Sequence, residues 1–71
     1  MKVTSQQVEK LLKGDEKFGQ FAFAMLLTRL RERYAKNTSS ATIESSVEEI
    51  NEFLSKNQAI MTEDYEVIKS L

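Results

Sequence analysis

Glu44, Glu48, Glu49 and Glu52, and further on Glu63, Asp64 and Glu66, are the side chains here best supplied for chemistry. Converging carboxylates can hold a hard cation, which prefers oxygen ligands, or act as an acid/base pair on a glycosidic bond. Neither pattern is completed. No calcium-loop spacing is present, and the Glu-x-x-His motif of di-iron bundles needs a histidine that the chain lacks. The first group reads instead as a solvated helix face, and the second as compensation of a helix dipole at its N-terminus. Glu9 with Lys13, Glu32 with Lys36 and Glu52 with Lys56 fit that reading. In each, glutamate stands four residues before lysine, the favourable order on an exposed helix.

The chain has no histidine, cysteine or tryptophan. The usual general base near neutral pH is missing, as is the thiol nucleophile, and zinc sites built from His and Cys are impossible within one chain. Gly14 and Gly19 match neither phosphate-binding motif. A bundle of this size also has little room for a substrate cleft of about 300 Å³ or more. The expectation is therefore no catalytic residue, no cofactor, no metal and no small-molecule substrate.

The basic residues are unevenly spread. Residues 1–37 carry eight Lys/Arg against four Asp/Glu, and residues 38–71 carry two against seven. Arg29, Arg31, Arg33 and Lys36 gather near Tyr34, which would suit nucleic-acid phosphates. That alternative is disfavoured. The net charge is −1, the arginines spread around their helix, and that helix is the most apolar in the chain. Cations near a helix C-terminus complement its dipole, and arginine stems can cover apolar surface. Glu44 is expected within their reach.

These side chains must be positioned by helices. With no proline and two glycines, little interrupts them. Phe18 to Tyr34 reads as one long helix. At about 100° per residue, Phe18, Phe21, Ala22 and Met25 fill one sector, and Phe23, Leu26, Leu27, Leu30 and Tyr34 the adjoining one. This arc exceeds the roughly 100° stripe of a surface helix, so it calls for cover on two sides, with burial deepest near Phe21 to Leu27.

Boundaries are well marked. Thr4 with Gln7 forms a capping box, and Val3 with Val8 a hydrophobic staple, for a first helix ending at Lys13. Its apolar face is Val8, Leu11 and Leu12. Gly14 fits the left-handed C′ position and Asp15 the next N-cap, which predicts a tight corner. Gly19, inside the second helix, suggests close approach of another backbone. Asn37 to Ala41 is a loop, after which Thr42 or Ser40 caps a third helix to about Lys56. Its Ile43, Val47, Ile50 and Leu54 match Tyr34, Leu30, Leu27 and Phe23 in an antiparallel seam. Thr62 caps a last short helix, docked by Tyr65, Ile68 and Leu71.

The fold expected is all-α, a small three- to four-helix bundle built on an antiparallel αα-hairpin of the second and third helices. It forms one domain over residues 1–71. The longest apolar run, Phe21 to Leu27, is far below the about 20 residues a bilayer requires, and the polar N-terminus has no secretory core; no membrane association and a cytoplasmic setting are expected. The first and last helices are short, so Phe18, Phe21 and Met25 are candidates for an uncovered patch, and such patches commonly mark interfaces. Binding to a protein partner or to itself, as a homodimer, is the leading functional expectation. The candidate partner-binding residues are Phe18, Phe21, Met25, Arg29, Arg31, Arg33 and Lys36.

Overall fold

The computed structural model describes all residues from Met1 to Leu71. Its elements are α1 (Ser5–Lys13), α2 (Phe21–Lys36), α3 (Ser40–Lys56), a 3-10 turn (Gln58–Ile60) and α4 (Thr62–Lys69), with no strand. The all-α expectation holds. So does the start of α1: the Thr4 hydroxyl accepts from the Gln7 amide at 3.2 Å, and the Gln7 side chain accepts from the Thr4 amide at 3.0 Å. Val3 and Val8 are both buried in the core.

Residues 14–20 overturn the tight corner. Gly14 lies in extended backbone, at φ −90° and ψ −174°, and no residue has a positive φ. Its glycine serves space rather than handedness. A Cβ there would collide with Glu16 Oε1 and stand 2.9 Å from the Lys10 carbonyl oxygen. Asp15 caps nothing; α2 begins at Phe21, where the Gln20 side chain accepts from the Phe23 amide at 2.8 Å. The physical reason is tertiary. Extended backbone lets three groups be used that a helix over 15–20 would turn away.

Arg31 holds the near end of this linker, donating from Nε to the Leu11 carbonyl at 2.9 Å and from Nη1 to the Glu16 carbonyl at 3.3 Å. Its Nη2 stands 3.7 Å from Glu16 Oε1, an ion pair whose two facing atoms are buried and make no hydrogen bond. Phe18 packs edge-on against Phe23, with ring centroids 5.1 Å apart. Asp64, on α4, holds the far end: its carboxylate accepts from the Gly19 amide at 3.1 Å and the Gln20 amide at 2.8 Å. Gly19 therefore faces a carboxylate, not another backbone; a Cβ would sit 3.8 Å from Asp64 Oδ1, an ordinary contact.

α2 and α3 form the expected hairpin across Asn37–Ser39. Phe23 lies beside Phe53 at 5.7 Å between centroids, while Arg33 reaches Ser46, so the two helices run antiparallel in the expected register. Ser39, rather than Ser40 or Thr42, caps α3, accepting from the Thr42 amide. The α3 face is also rotated from the expected one. Thr42, Ser46, Ile50 and Leu54 are buried, and Ile43, Val47 and Phe53 are half-buried. The cause is α1, which packs against both α2 and α3 and draws α3 toward the space between them. Buried Ser46 is satisfied, donating to the Thr42 carbonyl at 2.9 Å and accepting from Arg33 at 3.2 Å.

The core joins Val8, Leu11 and Leu12 of α1 to Phe23, Leu27 and Leu30 of α2, Ile50 and Leu54 of α3, and Ile68 of α4, with Val3 and Met61 closing it. Fully burying a side chain of this size contributes roughly 1.5–3 kcal/mol. α4 sits beside α1. No side chain caps α4; Met61 occupies the N-cap and Thr62 the first helical position. The N-terminal segment is tied to α3 by Asn51, whose amide side chain accepts from the Val3 amide at 2.7 Å and donates to the Val3 carbonyl at 3.3 Å. No helix is long and apolar enough to cross a membrane.

Candidate interaction surface on α2

Only one of the two apolar sectors of α2 is buried. Phe23, Leu27 and Leu30 face the core, whereas Phe21 is 75% and Met25 59% exposed. On a helix of about 100° per residue, Phe21 points almost directly away from buried Phe23 and Leu30. The expectation that burial is deepest from Phe21 onward is thus corrected to Phe23 onward. The reason is that α1 flanks α2 at Arg31 and α3 flanks it at Arg29 and Arg33, leaving no element of the chain for the opposite side. Phe18, grouped with Phe21 and Met25 by helical angle, lies outside α2 and half-buried against Phe23. Its place on the surface is taken by Ile60, 56% exposed, which shares a cleft with Gly19 and Gln20 at the N-terminal end of α2.

The basic residues do not form one patch. Arg33 pairs with Glu49 at 2.6 Å and Arg29 with the same carboxylate at 3.3 Å. Glu49, not Glu44, is thus their acidic partner. Arg31 points to the other flank and is used by the linker. Lys36 makes no ion pair and is exposed. Between α2 and α3 runs a groove of about 250 Å³, floored by half-buried Leu26 and Phe53 and edged by Arg29, Glu49, Glu52, Lys56 and Asn57.

Apart from Glu16, whose Oε1 is buried beside Arg31, the carboxylates behave as surface charges with one exception. Glu9–Lys13 and Glu52–Lys56 form their pairs at 2.6 and 2.9 Å, and Glu66–Lys69 adds another at 2.8 Å. The Glu32–Lys36 pair does not form, and Glu32 makes no ion pair at all. Lys56 donates a hydrogen bond to Glu52 and, with its charge, holds that carboxyl below its usual range; Glu9 and Glu66 likewise raise Lys13 and Lys69. The exception is Asp64, buried on the linker amides, and nothing in the local sequence distinguished it from Glu63. No three carboxylates converge as a metal-binding set. The chain matches no protein-family profile, no curated protein and no solved structure.

Proposed function

We propose that this is a non-catalytic binding protein whose outward face of α2 docks another protein chain. The observation that carries the reading is the exposure of Phe21 and Met25 one turn apart on a helix face that no other element covers. A phenylalanine ring left in water forgoes roughly 1.5–3 kcal/mol that burial would return, and an aromatic with a flexible thioether is the composition interfaces favour. The absence of histidine and cysteine argues for binding rather than catalysis. Nucleic acid is not the proposed partner, because Arg29, Arg31 and Arg33 already neutralise acids or carbonyls of their own chain and point to two different flanks.

The test is a double variant, Phe21→Asp with Met25→Asp. It should keep the helical circular dichroism and melting midpoint of the parent while losing association, with itself in sedimentation equilibrium or with any co-purifying chain. Loss of folding would mean that the face is core. Unchanged association would place the interface elsewhere.

A further inference from the structure

We propose that the occupant of this face is a second copy of the chain, paired antiparallel along α2 about a twofold axis beside Met25. The inference rests on the docking role just given and names its partner. In packed helices a side chain enters a hole made by residues i, i+3, i+4 and i+7 of the facing helix. When Met25 faces its own copy, Phe21 of one chain falls on the hole formed by Met25, Thr28, Arg29 and Glu32 of the other. The same relation drops each Met25 into the hole of Phe21, Ala24, Met25 and Thr28. One register therefore seats both exposed apolar side chains, and Ala24 and Thr28 at its centre are small enough for close approach. A twofold axis makes every contact twice, as an isologous interface requires.

Charge supports the same register. The Arg29 side chain is 66% exposed even while paired with Glu49, and it is brought over the Phe21 ring of the other copy, where a guanidinium is attracted to the aromatic face. Glu32 is the one acid on the outward face of α2, and it has no partner within the chain. The pairing carries it toward the N-terminal end of the facing α2, where the Phe21 and Ala22 amides donate to no group of their own chain. An anion is favoured at a helix N-terminus, although at this one the Asp64 carboxylate already takes the neighbouring Gly19 and Gln20 amides. The face is narrow. With aromatic side chains covering about 150–250 Å² each, it falls short of the roughly 800 Å² per partner of a standard interface, so the dimer is one that dissociates on dilution.

The chain contains no cysteine, which gives a clean test. Met25→Cys places a single thiol on the axis and should oxidise to a covalent dimer about tenfold faster, or more, than Lys36→Cys at the far end of the same face. In parallel, a photo-reactive benzoyl-phenylalanine at position 21 should give an adduct of twice the chain mass, linked to residues 25–32 of the second copy. Equal oxidation rates, or an adduct mapped elsewhere on the copy, would overturn the register. An adduct in producing cells with a different protein only would overturn self-pairing and leave the docking role standing. No adduct with any protein would remove both.

Discussion

Asp64 offers the sharpest test of how the linker is held. The residue is 8% exposed, and its carboxylate takes two backbone amides, at 3.1 and 2.8 Å, from residues 45 and 44 positions away. Asp64→Ala removes both acceptors. Hydrogen bonds to a charged group contribute about 1.5–3 kcal/mol each. Two effects reduce the sum: the carboxylate no longer has to be desolvated, and water can reach the exposed Gly19 amide. The expected loss is about 2–3 kcal/mol, a large part of the roughly 4–10 kcal/mol that a domain of this length commands. At about 4–8 °C per kcal/mol, the melting midpoint should fall by about 10–20 °C. Asp64→Asn keeps one acceptor oxygen and should lose about half as much. Urea denaturation followed by far-UV circular dichroism measures both, and native-state hydrogen exchange should show the Gly19 and Gln20 amides losing protection first. An alanine variant within about 0.5 kcal/mol of the parent would refute the reasoning, as would equal losses for alanine and asparagine.

Other expectations follow from neighbouring residues with opposite environments. Phe23→Ala should cost about 3–5 kcal/mol in denaturant titration, while Phe21→Asp, two positions away, should stay within about 0.5 kcal/mol. Gly14→Ala should destabilise by about 1–3 kcal/mol, and Glu16→Ala in the same chain should restore only part of it, because the Lys10 carbonyl remains in the way. Lys56→Met should let the Glu52 carboxyl return upward to the ordinary range in an NMR titration. Because that carboxyl is lowered in the folded chain, its attraction to Lys56 is present above the ordinary carboxylate range and fades as pH falls through the lowered value. The pair is too exposed for its loss to move the melting midpoint appreciably.

Local signals predicted what local physics determines. The Thr4–Gln7 capping box, the end of α1 at Lys13, the loop at Asn37 and the α2–α3 register were all legible, since each depends on residues within a few positions or on a repeat of four, three, four. Residues 14–20 were not. Asp15 has the chemistry of an N-cap, but Arg31 and Asp64 hold that backbone extended from 15 and 45 positions away. Periodicity found two apolar sectors on α2 without saying which one the rest of the chain would cover, and the absence of cover for Phe21 became visible only once α1 was seen on the other flank. Asn51, which ties down Val3 with both ends of its amide, carries no periodic signal.

The ties that close this fold reach far along the chain. Tyr65 donates to the Lys2 carbonyl across 63 positions, Lys10 to the Leu71 carbonyl across 61, and Asn51 grips Val3 across 48. During synthesis α1 emerges well before any of these partners exists. The α2–α3 hairpin, whose contacts are local, can assemble while the ribosome is still at work and already offers α1 two of its neighbours, but the flank of α1 that faces α4 closes only after α4 has been made. Closing loops of this length is an entropic step taken before its contacts return anything. Completion of the fold is therefore timed by α4, and until it docks part of the apolar face of α1 stays open to a nascent-chain chaperone.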